Sequence, residues 1–277
     1  MNEAKELLTA GQLDQAIESL LRHVKANPND SASRTFLFEL SCLAGDWDRA
    51  ERQLDVIGHQ STEAQLGVMV YRANIKAERE RQRVFAEGVQ PHFLREPPAY
   101  IDLHVAALNH VSRGQMTEAR AALDRAEEER PAIAGKLNGN EFKDFRDYDD
   151  FVAPVLELIV KDKYAWLPFE QIKSIQISPP RQLRDMIWAS ARVEALDGTI
   201  GEVYVPTLYA GTTAAKNDQV RLGRMTDWRQ LHDDLYWALG LRLFLVDGAD
   251  TTLFEASPIE FASTGSQETE RTQAAPS

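Results

Sequence analysis

The stretch Gly11-Gln-Leu-Asp-Gln-Ala16-Ile-Glu-Ser-Leu20 returns as Gly45-Asp-Trp-Asp-Arg-Ala50-Glu-Arg-Gln-Leu54, shifted by 34 residues. It returns again as Gly114-Gln-Met-Thr-Glu-Ala119-Arg-Ala-Ala-Leu123, a further 69 positions on. Glycine, alanine and leucine keep their spacing in all three copies, and each has a packing reason. Glycine ends one helix in a turn because it tolerates positive φ without a Cβ clash. Alanine lets the next helix approach its neighbour closely, and the leucine four residues later lies on the same face. Pro28 and Pro131 each follow the alanine of their copy by 12 positions, where a missing amide stops the helix.

Segments 12–26, 34–44, 47–57, 101–112 and 117–130 are predicted as amphipathic helices from their apolar spacing. A period of 34 residues resembles the tetratricopeptide repeat, whose helix-turn-helix units stack into a solenoid. An all-α helical repeat domain is therefore expected over residues 1–134. Residues 63–98 should hold a degenerate copy: Ala73 and Pro97 fall near register, but no glycine occupies the turn around 79–81. The run Lys76-Ala-Glu-Arg-Glu-Arg-Gln-Arg83 alternates in sign and reads as a solvated helix face with local pairs. Such a stack has a concave face suited to a peptide or partner helix, an expectation that rests on fold alone.

Composition bounds the rest. The 277 residues suggest two domains, and 43% hydrophobic content supplies their cores. With 43 acidic against 31 basic side chains the net charge is -12, which opposes phosphate backbones and anionic lipid, so neither nucleic acid nor membrane is expected as a partner. The single cysteine, Cys42, can form neither an internal disulfide nor a thiolate zinc cluster, which fits a reducing, cytoplasmic location. No apolar run reaches the roughly 18 residues of a membrane span. Residues 1–6 lack the basic start and apolar core of a signal peptide.

Beyond Arg130 the pattern changes. Gly135, Asn138, Gly139 and Asn140 mark a junction loop over 135–150. Val152, Val155, Leu156, Ile159 and Val160 then follow helical spacing, with Asp149 or Asp150 placed as the cap. From residue 172 the period is two. Strands are predicted at 172–177, at 190–196 and 201–205 around the Asp197-Gly198 turn, and at 241–246 and 252–256. Few helices interleave with them, so the expectation is an α+β chain. Its C-terminal domain, 151–262, should hold a small antiparallel sheet and a few helices. Residues 263–277, rich in Ser, Thr, Gln and Glu, are expected to be a disordered tail.

The acidic cluster Asp144, Asp147, Asp149 and Asp150 is the strongest enzyme-like feature. Paired carboxylates can act in acid/base chemistry or hold a hard cation, which makes a metal-binding or hydrolytic module over 144–150 the alternative reading. The turn glycine and terminal glutamate of a calcium loop are missing, however, and Lys143 and Arg146 lie within the cluster. Capping and ion pairing between the halves account for it better. The histidines, at 23, 59, 92, 104, 110 and 232, show no metal-ligand spacing, and roles in repeat packing suit them. Cys42 reads as a small buried residue. Residues 211–217 lack the second glycine and the Ser/Thr of a phosphate loop and read as a flexible surface loop. No catalytic, cofactor-binding or metal-binding residue is assigned, and no cofactor. Tyr164 and Trp166, then Arg184, Asp185 and Trp188, then Arg224, Asp227 and Trp228 carry more information. They fit a core with buried Arg–Asp pairs, or a partner-binding surface built from the same residue types, and the structural role is favoured.

These residues also carry a family likeness. The helical repeats are followed by Asn138-Gly139, Phe142-x-Asp-x-Arg-Asp-x-Asp-Asp150, Pro154-x-Leu-Glu157 and Tyr164-x-Trp-x-Pro168. Next come Pro179-Pro-Arg-x-Leu-Arg-Asp-x-x-Trp188, Gly201-Glu-Val-Tyr-Val-Pro206 and Leu222-Gly-Arg-x-Thr-Asp-Trp228. Nearly the whole chain, apart from the tail, resembles the ImpE family, also called TagJ or SciE, accessory proteins of bacterial type VI secretion systems. The resemblance implies a non-enzymatic adaptor in the bacterial cytoplasm. Its expected partner is the N-terminal helix of the small subunit of the contractile sheath. Through that subunit it would be linked to the AAA+ unfoldase that disassembles contracted sheath.

Overall fold

The computed structural model describes residues 1–59 and 62–262; the predicted tail, 263–277, lies outside them. The chain is α+β. Its first part is helical: α1 (Asn2–Thr9), α2 (Leu13–Ala26), α3 (Ser31–Leu43), α4 (Trp47–Gly58), α5 (Thr62–Glu87), α6 (Ile101–Ser112) and α7 (Met116–Glu129), with a two-residue strand β1 (His92–Phe93) before α6. Gly11, Gly45 and Gly114 all stand at turns between helices with φ between +72° and +76°, the left-handed conformation that glycine adopts without penalty. Ala16, Ala50 and Ala119 are completely buried one turn into the following helix, and Leu20, Leu54 and Leu123 are buried behind them. Asp30 and Asp46 cap α3 and α4 by accepting the amides of Ser33 and Arg49.

The second part is mostly strand. After α7 come β2 (Gly135–Leu137), β3 (Asn140–Phe142), β4 (Phe145–Asp147), β5 (Val155–Val160), β6 (Lys163–Pro168), β7 (Ile172–Ile177), β8 (Trp188–Ala195) and β9 (Ile200–Pro206). A four-residue helix, α8 (Asp218–Arg221), precedes β10 (Thr226–His232), β11 (Leu235–Gly240), β12 (Leu243–Val246), β13 (Ala249–Thr252) and β14 (Ile259–Phe261). The sheet is not small: nine strands run in the order β1-β6-β5-β9-β8-β7-β14-β2-β3, beside a β13-β12-β4 sheet and the β10-β11 hairpin. Pairing in the large sheet is antiparallel except where β1, from the helical half, joins β6 in parallel.

Three local expectations are corrected. Residues 155–160, read as a helix stripe, form a central strand buried on both faces, where apolar residues lose the period of two. Asp149 nevertheless caps a short 3-10 turn, Asp150–Val152, by accepting the Phe151 amide. The junction 135–150 is not an open loop but holds three short strands, β2 to β4. The last hairpin pairs β12 with β13 at 249–252, and most of 252–256 is turn.

The large sheet feeds two cores, one from each face. Val155, Ile159, Tyr164, Trp166 and Trp188 pack with the helices. Leu156, Leu158, Ala165, Leu167, Ala191 and Val203 alternate with them and pack on the far side with Phe145, Phe169 and Phe244. Period-two alternation thus sandwiches the sheet between the helices and the smaller strands.

Candidate functional site

The helices meet the sheet at a buried ionic seam. Glu157 interrupts the apolar run of β5 and points with Val155 and Ile159 toward the helices, where its side chain has no solvent exposure. Arg81 of α5 donates to Glu157 Oε1 at 2.7 Å and to the Leu208 carbonyl at 2.8 Å. Arg242, equally buried between β11 and β12, donates to Asp147 Oδ2 at 2.5 Å and also to Glu157. Tyr164 donates to Glu157 Oε1 and accepts from Trp166 Nε1, both at 2.5 Å. Trp188 Nε1 donates to Glu78 Oε1 at 3.0 Å, and the Tyr209 hydroxyl reaches Asp147 at 2.9 Å. Burial by itself raises the Glu157 carboxyl, but Arg242 and Arg81 overcome it and hold it at about 2.

This seam overturns the reading of residues 76–83 as a solvated face. Glu78 and Arg81 are buried, while Lys76, Arg79 and Arg83 face outward to Asp162, Asp48 with Glu51, and Glu87. One helix divides its charges by face, and the sheet supplies the partner for the inner pair.

The acidic cluster is dispersed in the same way. Asp144 accepts from Arg130, Asp147 from Arg242, and Asp150 from both Arg120 and Arg146. Asp149 accepts the amides of Phe151 and Ala238. Among the described residues no three His, Cys, Asp or Glu side chains are grouped to hold a metal ion. His104 is buried on α6, and burial lowers its imidazole to about 4.

The eight candidate residues divide between the seam and the surface. Tyr164, Trp166 and Trp188 lie in the seam, and Trp188 stacks on Tyr71 of α5 at 6.1 Å. Arg184 pairs not with Asp185 but with Glu39 of α3 and the Tyr71 hydroxyl. Asp185 closes its own turn by accepting the amides of Arg181 and Gln182. Arg224 reaches back to the carbonyls of Leu8 and Thr9 at the end of α1. Asp227 and Trp228 stand on the exposed strand β10, where the Trp228 ring lies 5.1 Å from that of Tyr148. In the segment read as a flexible surface loop, 211–217, Gly211, Ala214, Lys216 and Asn217 are exposed, while Thr212 is buried and Thr213 faces Gly45.

Sequence reasoning missed Glu78, Arg81, Glu157 and Arg242. Two of them left a signal: Glu157 and Arg242 are lone charges in the apolar runs Val155–Val160 and 241–246. It also missed Tyr236, exposed like Trp228 on the β10-β11 hairpin, and the exposed residues Leu66 and Met69 on α5.

A helical layer held on a large antiparallel sheet by buried ion pairs defines the class of protein, and the comparisons agree with it. The family described as "ImpE protein" matches residues 139–260. The chain is 35% identical to the type VI secretion system accessory component TagJ of Pseudomonas aeruginosa, over 94% of this chain and 92% of that protein. The chain belongs to the ImpE family. A crystal structure of a protein from Vibrio parahaemolyticus superposes with a TM-score of 0.86 at 27% identity, covering 94% of this chain and 97% of that one.

Proposed function

We propose that this protein is a non-enzymatic, cytoplasmic adaptor of a bacterial type VI secretion system. It binds the N-terminal helix of the small sheath subunit and is linked through it to the AAA+ unfoldase. It works without a cofactor and without contact to nucleic acid or membrane. The observation that carries this reading is the 35% identity, over 94% of the chain, to a type VI secretion accessory component. The helices of residues 1–134 are read as tetratricopeptide-like, and such a stack offers a groove for an amphipathic helix. Of the eight candidate residues, Tyr164, Trp166 and Trp188 are spent on the seam and Arg184, Asp185 and Arg224 on hydrogen bonds within the chain, which leaves Asp227 and Trp228 for partner contact.

The test is a pull-down of the purified small sheath subunit by the full chain, with and without that subunit's first helix. Capture that depends on the helix supports the proposal; equal capture of both forms overturns it. Trp228→Ala should weaken capture at unchanged Tm if β10 takes part, because Trp228 is 39% exposed.

A further inference from the structure

We infer that the cavity beneath Trp47 is a binding site for ordered water, which bridges the helices to the segment 208–213 as a fixed part of the fold. The cavity measures about 40 Å³ and is lined by Cys42, Trp47, Glu78, Arg81, Tyr209 and Thr213, among others. The indole of Trp47 points to a ligand. Three other buried tryptophans have acceptors: Trp166 donates to Tyr164, Trp188 to Glu78 and Trp237 to the Ala210 carbonyl. Trp47 is 9% exposed, and among the described residues nothing accepts from its Nε1. A buried indole N–H without an acceptor is disfavoured, and a bridging water supplies one.

Ile187, Leu208 and Ala210 make part of the lining apolar, but Glu78, Arg81, Gln82 and Thr213 give it the polar groups that water needs and an apolar molecule does not. Empty internal cavities in proteins are apolar, whereas a water needs two to four polar partners and about 10–15 Å³. Room for roughly two or three waters follows from that requirement. Glu78 can accept from them, since one oxygen receives Trp188 and the other stands 3.4 Å from Arg81, longer than a strong charge-assisted bond. Thr213 also lines the cavity and brings a hydroxyl-bearing side chain to it. Trp47 and Gln82 also border a surface groove of about 620 Å³ that runs over Gly45 and Arg83 and gives a route for exchange.

A high-resolution crystal structure of the full chain tests this. Expected is a water peak at about 2.7–3.2 Å from Trp47 Nε1, within reach of Glu78 or Thr213, and no xenon in the cavity under pressure. In solution, oxygen-17 relaxation dispersion should count at least one long-lived water fewer in Trp47→Phe than in the wild type. A dry cavity that takes xenon, a protein group accepting from the indole, or an unchanged water count overturns the inference. Should Trp47→Phe fail to fold, the wild-type map and the xenon experiment decide it alone.

Discussion

Arg242 and Glu157 form an ion pair in which neither side chain touches solvent; the same guanidinium holds Asp147 and the same carboxylate holds Arg81. Removing one member of a buried pair leaves its partner charged and desolvated, which costs more than the pair itself contributes. Arg242→Met leaves the buried Asp147 without a cation, and Glu157 with Arg81 alone, and is expected to lower stability by about 3–5 kcal/mol in urea unfolding. A loss below about 1 kcal/mol would mean that water reaches the seam.

Stability should fall as pH rises above neutral, and Asp149 is the cause. Burial pushes its carboxyl up to about 8, and the neighbouring Asp147 adds to the effect. The folded chain keeps a proton there that the unfolded chain releases near pH 3.8. This stabilisation is complete below that pH and is lost as the pH climbs through about 8. Asp149→Asn should lower stability overall, because a backbone amide loses its acceptor, yet flatten the slope between pH 6 and 8. Equal slopes in urea midpoints of the two proteins would assign the titration to another group.

The three repeat glycines should differ in their tolerance of alanine. All have positive φ, so each substitution costs on the order of 1 kcal/mol in backbone strain. A Cβ on Gly45 would also stand 2.9 Å from Thr213 Cβ, whose short side chain cannot swing away. At Gly11 it meets the flexible end of Gln219, and at Gly114 nothing lies within 4 Å. Melting temperatures should therefore drop most for Gly45→Ala and least for Gly114→Ala. The reverse order would place the 211–217 segment elsewhere.

Residues 1–134 expressed alone should not unfold as a cooperative unit. The first amide of α2 is capped by Asp218 at 2.8 Å, Asp14 is held by Arg221, and the end of α1 by Arg224. β1 belongs to the sheet, and Arg81 would lose Glu157. Circular dichroism should show helix with a broad thermal transition. A sharp transition at the full chain's Tm would instead make the helices autonomous.

Much of the helical layer is legible because its signals are local. Gly11, Ala16 and Leu20 specify a turn, a close approach and a buried face within ten residues, and the copies at 45 and 114 repeat them. The Asp197-Gly198 hairpin is legible for the same reason, since its turn joins β8 directly to β9. Residues 155–160 are not, because a strand covered on both faces looks like any apolar segment. The candidate site was legible only as residue types. Trp188 and Arg184 stood out, but nothing local indicated that Arg184 would choose Glu39 over its neighbour Asp185.

By itself the sequence determined where the helices turn, that the second half is strand-rich, and, by its motifs, the family. The tertiary structure decided which charges are buried and how far the sheet extends. Glu157 meets Arg81 and Arg242 across 76 and 85 residues of chain, and β1 joins β6 from the other half. Such pairings depend on which surfaces exclude water once the layers close, and that is set by the assembled sheet, not by any neighbour in the chain.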